Sequence, residues 1–173
     1  KGWSDLHTRA RMMERFANHE AAGRQCVLLY CGDFDPAGLR ISDYLRSNMA
    51  ELSGAVGGWQ PDNLIIDRFG LNYDFIMANG LSWIENLETG SKRDLSDPRH
   101  PEHAKEYVQD YLRRYGARKV EANALVTRAT AARNLCQDTI LRYLDDAGAP
   151  ARFEEQLLPW RSELRSVVRS LMN

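Results

Sequence analysis

Cys26-Val27-Leu28-Leu29-Tyr30-Cys31-Gly32-Asp33-Phe34-Asp35-Pro36-Ala37-Gly38 is the stretch on which the fold turns. An apolar run of strand type ends in Gly-Asp-Phe-Asp-Pro-Ala-Gly, and a helical pattern follows at once. In open α/β sheets the carboxyl ends of the strands are where ligands bind, and two carboxylates stand there. If extended geometry persists, Asp33 and Asp35 point to one side and Phe34 to the other. Like charges held close are relieved by a proton or by a cation. Oxygen donors of this kind suit magnesium or manganese. The plainer role for the same residues is a helix N-cap and a turn, since Asp-Pro commonly opens helices.

Outward from this stretch, helical and strand patterns alternate. Residues 4–22 read as a helix with Ser4 as N-cap, Leu6, Ala10, Met13 and Ala17 inward, and Gly23 at its end. Residues 25–31 read as a strand buried on both faces. Pro36 opens a helix to about residue 51, with Leu39, Ile41, Tyr44, Leu45 and Met49 inward. Residues 53–62 form a Gly-rich loop, 64–69 a second strand, and 72–79 a short helix closed by Gly80. The polar stretch 85–103 reads as a long surface loop. Pro101 starts a helix to Tyr115, residues 117–121 make a short strand, and 127–147 a helix ended by Gly148 with Pro150 as a stop. Residues 153–172 form the last helix. The alternation predicts an α/β fold with a mostly parallel sheet flanked by helices. The α/β core is expected over residues 1–125 and a helical extension packed on it over 126–173.

Composition sets bounds. The chain has 173 residues, 43% hydrophobic and 27% charged, enough for a core without staples. A net charge of −1 does not advertise a nucleic-acid partner, although a local patch suffices for one. No apolar run approaches the roughly 18 residues of a membrane span, and no signal peptide is visible. Cys26, Cys31 and Cys136 are an odd set without metal spacing, which points to reduced thiols and a cytoplasmic setting.

The acidic stretch Gly32-Asp33-Phe34-Asp35-Pro36-Ala37-Gly38 resembles the Asp-x-Asp-Pro-x-Gly signature of Toprim domains of the topoisomerase VI A-subunit type, shared by the meiotic double-strand-break proteins. Lys119-Val120-Glu121-Ala122-Asn123-Ala124-Leu125 is similar to a downstream segment of those proteins. The likeness covers roughly residues 25–125. It implies a Toprim-like, Rossmann-like sheet and Mg2+- or Mn2+-dependent phosphodiester chemistry on DNA, with Asp33 and Asp35 as metal ligands. A phage- or plasmid-type DNA-processing protein fits the same pattern, and a homodimer is compatible with it. In the family a glutamate on an earlier strand completes the metal site. Glu14 and Glu20 are poor matches, so that strand and glutamate are expected ahead of Lys1, as is an upstream winged-helix domain carrying the topoisomerase tyrosine. Ala37 stands where topoisomerase VI often has Tyr. Nuclease, topoisomerase-type and inactive-module readings all stay open.

Other candidates carry less. Glu121 is a third ligand or base if it faces the acidic pair, or a surface partner of Arg118 or Lys119. His100 and His103 have zinc-like spacing but lie in a Pro-containing loop without cysteine partners, which favours a solvated loop. Arg161, Arg165 and Arg169 make a stripe that suits phosphates or, paired with Glu163, a solvent face. The four tryptophans, Trp3, Trp59, Trp83 and Trp160, are scattered, as core or interface residues are. Asp-x-Asp also occurs in haloacid-dehalogenase phosphatases and nucleotide-sugar glycosyltransferases. Ala37 stands where the phosphatase needs Thr. A sugar transferase would use the pair on a diphosphate. The non-enzymatic rival is a Toprim-like docking or DNA-binding module of a larger assembly.

Overall fold

The structure, a computed structural model, describes residues 6–88, 93–144, 146 and 148–172. Ser4 and Trp3 lie outside them. The chain divides into two compact units, Lys1–Cys136 and Gln137–Asn173.

The first unit is mixed α/β. Helix α1 (Leu6–Ala21) precedes strand β1 (Val27–Tyr30), and a 3-10 turn at Gly38–Arg40 leads into α2 (Ile41–Glu51). Strand β2 (Ile65–Arg68) follows, then α3 (Tyr73–Asn79), α4 (Glu106–Tyr115) and a 3-10 helix over Ala122–Arg128. The helix α5 (Ala129–Leu141) comes next. β1 and β2 pair in parallel, Val27 with Ile65 through Tyr30 with Arg68. The right-handed crossover rule explains why a helix separates them: parallel neighbours need a long connection.

Beyond β1 the sheet changes character. Phe34 makes an isolated antiparallel bridge to Val120, and Lys119 another to Ile84. Residues 119–120 thus lie beside the loop after β1 and supply hydrogen bonds without forming the expected strand.

Two apolar clusters hold this unit. One gathers Met13, Cys26, Met49, Val56 and Leu64, with Trp59 packed against it. The other gathers Phe34, Leu71, Ile76, Val108, Tyr111 and Val120, among others, with Trp83 against it. Several inward assignments fail. Leu6, at the start of α1, is 59% exposed, and Leu39, in the 3-10 turn, and Tyr44 are exposed as well. Ile41 and Met49 do face the core. Pro101 does not start α4; turns run through 101–104 and the helix opens at Glu106.

The second unit contains the end of α5 and α6 (Ala149–Met172). Pro150 was expected to stop a helix; it sits in the first turn of α6, where a missing N–H costs nothing. Among the described residues no helix is long and apolar enough to cross a membrane. All three cysteines are free; Cys26 is buried, Cys31 half-buried and Cys136 exposed.

Candidate metal and phosphate site

Phe34 fixes the direction of the two carboxylates. Its backbone N–H donates to the Val120 carbonyl at 2.7 Å, and its carbonyl accepts from the Val120 N–H at 3.1 Å. The buried Tyr111 hydroxyl donates to the same Phe34 carbonyl at 2.9 Å and reaches the Arg118 carbonyl at 2.9 Å. The Phe34 ring lies 4.8 Å from Tyr115 edge-on and 5.8 Å from Trp83 edge-on, centroid to centroid. With Phe34 locked into this aromatic cluster, alternation turns Asp33 and Asp35 away from it.

Each carboxylate also caps a short helix. Asp33 Oδ1 accepts from the Ala122 N–H at 2.7 Å, at the start of the 122–128 turn. Asp35 Oδ1 accepts from the Gly38 N–H at 2.5 Å, and its carbonyl accepts from Leu39 N–H at 3.1 Å. Each side chain thus caps a backbone N–H through one oxygen. Among the described residues Asp33 Oδ2 has no hydrogen-bond donor, which leaves it for another ligand. Burial pushes the Asp35 carboxyl above its usual range; the Gly38 N–H opposes this, and the neighbouring Asp33 charge adds to it.

Glycine is required at 38. A Cβ there would stand 2.2 Å from the Asp33 carbonyl oxygen and 3.0 Å from Asp35 Oδ1. The turn closes over the acidic pair only because that atom is missing.

Arg68, at the end of β2, organises the floor of the site. Its Nε donates to the Gly38 carbonyl at 2.9 Å and its Nη2 to the Asp33 carbonyl at 2.9 Å. On the other side Nη1 donates to the Gly70 carbonyl at 2.9 Å and Asn72 Oδ1 at 2.8 Å, with Leu71 O at 3.5 Å from Nη2. All five guanidinium protons are thereby committed to the fold. Arg68 is a clamp on the loop backbones, and no proton is left for a phosphate. Leu71 follows with φ +35, a left-handed value rare outside glycine, held by its complete burial.

Glu121 is placed as a surface partner. Its Oε1 pairs with Lys119 Nζ at 3.2 Å and its Oε2 accepts from Asn123 at 3.3 Å. Among the described residues no group of three or more His, Cys, Asp or Glu side chains is gathered to hold a metal ion. His103 Nδ1 donates to the Leu95 carbonyl at 2.8 Å, and His100 Nδ1 accepts from the Glu102 N–H at 3.1 Å, so both shape their loop. Arg161 pairs with Glu154 and not with Glu163.

The donor set fits magnesium in part. Two carboxylates are what such an ion takes from protein where phosphate oxygens and water complete its shell. Beside Pro36 a cleft of about 170 Å3 opens, lined by Leu39, Arg40, Tyr107 and Arg114 among others. Arg40 stacks on Tyr44 and Tyr107, 5.3 and 5.1 Å from the ring centroids. Arg68, Tyr111 and the Ala122 N–H escaped the sequence reading. The one signal was a charged residue ending an apolar strand just before Gly70.

No family model, curated protein or solved structure matches this chain.

Proposed function

We propose that the first unit is a Toprim-like, Mg2+- or Mn2+-dependent DNA-processing domain acting on phosphodiesters in the cytoplasm. The observation that carries the reading is the pair Asp33 and Asp35 at the β1 terminus, each holding a backbone N–H through one oxygen. Asp33 and Asp35 would hold the ion. The bound ion would supply charge neutralisation and Lewis acidity at a phosphate. The chain's own residues do the rest. Phe34, Gly38 and Arg68 hold the carboxylates in place, and Arg40 and Arg114 offer positive charge to a backbone entering the cleft.

The test is calorimetric titration of Mg2+ and Mn2+ into the wild type and into Asp33→Asn/Asp35→Asn. Asn keeps an oxygen acceptor for each cap but removes the charge. Binding that the double variant abolishes while its melting temperature holds supports the metal site. Equal binding in both proteins overturns it. Cleavage of plasmid and single-stranded DNA then separates nuclease from strand-handling chemistry.

Among the described residues no third carboxylate joins the pair, which favours a second reading, a non-catalytic DNA-binding or docking module of a larger assembly. DNA binding that needs no metal and survives Asp33→Ala is the outcome that selects it.

A further inference from the structure

The cleft beside Pro36 joins three kinds of surface. Pro36 and Leu39 are apolar, Tyr107 and Tyr115 aromatic, and Arg40 and Arg114 cationic. Its volume of about 170 Å3 lies below the roughly 300 Å3 at which pockets for drug-sized ligands begin, so it has room for one ring system.

The charge in this cleft is not spent on the fold. Among the described residues Arg114 makes no hydrogen bond or ion pair, and the Arg40 side chain makes only ring contacts. The Arg40 guanidinium lies over the Tyr44 and Tyr107 rings, 5.3 and 5.1 Å from their centroids, which holds it in place without neutralising it. Asp110, also in the lining, pairs with Arg113. The Tyr107 hydroxyl donates to Glu102 at 2.8 Å, which fixes that ring from its polar tip. The cleft is thus left cationic and walled in part by aromatic side chains. That is the chemistry that takes an unpaired base together with its phosphate: bases stack on aromatic rings and guanidinium planes, and the phosphate meets the charge.

Resting on the phosphodiester reading above, we propose that the cleft seats one unpaired base of a DNA strand, and that the domain therefore takes single-stranded DNA in preference to duplex. Pro36 lines the cleft and follows Asp35 directly in the chain, so a seated base carries its own phosphate toward the acidic pair. In a duplex each base is paired and stacked between neighbours, and it reaches a protein pocket only by leaving the helix. A single strand offers the base without that cost.

The experiment is fluorescence-anisotropy titration of the full chain, in EDTA, against a labelled thymidine oligonucleotide, an abasic strand of the same length and the matching duplex. The ratio of thymidine to abasic affinity cancels whatever the acidic pair contributes, because both strands carry the same phosphates. The thymidine strand should bind about tenfold or more tighter than either of the others, the effect expected of one or two stacked bases. Tyr107→Ala should remove most of that preference, and Tyr107→Phe should keep it. Arg114→Gln should lower the slope of log affinity against log salt by about 0.7, the value for one phosphate contact on a single strand. Arg11→Gln, an equal charge change at an exposed position of α1, should leave the slope as it is. Circular dichroism checks each variant. If Tyr107→Ala does not fold, Arg40→Gln carries the same test, since that side chain makes no hydrogen bond among the described residues.

Equal binding of thymidine and abasic strands overturns the base seat. So does duplex bound as tightly as the single strand, a thymidine preference that Tyr107→Ala and Arg40→Gln both leave intact, or no binding of any strand. Magnesium binding that Asp33→Asn/Asp35→Asn abolishes then still upholds the acidic pair, whereas its absence overturns the metal reading independently of the cleft.

Discussion

Replacing Arg68 by Lys keeps the charge and removes the fork. The guanidinium serves five acceptors on two sides: Gly38 and Asp33 carbonyls on one, Gly70 and Leu71 carbonyls and Asn72 Oδ1 on the other. A lysine ammonium has three protons at one point and cannot reach both sides. At least two bonds are lost, each worth about 1.5–3 kcal/mol when the donor is charged and buried. Partial solvation of the loops reduces this, so the net cost is about 2–4 kcal/mol. For a chain of this size that is a fall in melting temperature of roughly 6–12 °C. The assay is thermal unfolding by near-UV circular dichroism, paired with magnesium titration. Loss of metal affinity should accompany the loss of stability, because Arg68 fixes the backbone of Asp33 and Gly38. Asp33→Asn/Asp35→Asn should lose the metal without losing stability. An Arg68→Lys protein that melts within about 2 °C of wild type refutes the clamp, since even one lost charged hydrogen bond costs more.

The remaining predictions concern the same loop. Burial raises the Asp35 pKa in the folded state, so the stability this group contributes is present at low pH and is lost as pH rises through the raised value. Asp35→Asn should therefore be more stable than wild type at neutral pH, with the gap closing on acidification in urea titrations across pH; a constant gap counts against burial as the cause. Magnesium affinity should weaken as pH falls through the same value, measured by calorimetry in matched buffers. Gly38→Ala should cost about 1–3 kcal/mol by overpacking against the Asp33 carbonyl, while Gly54→Ala, with open space around it, should be near neutral. Tyr111→Phe should cost about 1–2 kcal/mol in chemical denaturation, because the Phe34 and Arg118 carbonyls lose a buried donor.

What could be read in advance follows from the range of the interactions. The 27–30 and 65–68 strands and the helix after Pro36 are written in short runs of residue type, and the structure has them as parallel β1 and β2 with α2 between. The division of labour around the acidic pair is not local. Asp33 is held by Ala122, 89 positions away, and Phe34 by Tyr111, 77 positions away. No periodicity encodes such pairings. The same limit misplaced Leu39, which falls in the 3-10 turn before α2; nothing in the residues after Pro36 distinguishes 3-10 from α.

Glu121 shows how a motif and a geometry divide. Two residues along an extended segment share a face, so Lys119 and Glu121 were bound to meet, and the 3.2 Å pair is what that alternation produces. A carboxylate neutralised by its own neighbour is a poor metal ligand, since binding an ion means giving up that partner. Among the described residues Asp33 and Asp35 form no ion pair; their hydrogen-bond partners are backbone N–H groups, while Lys119 and Arg68 act on the two carboxylates through charge alone. Two carboxylates near each other repel, and a cation relieves that repulsion. Burial is the first cause of the raised Asp35 pKa and the Asp33 charge adds to it; that added repulsion is the physical reason to expect a cation there. The two explanations separate in one measurement: if a cation is the intended relief, saturating magnesium should raise the melting temperature at neutral pH by an amount that Asp35→Asn removes.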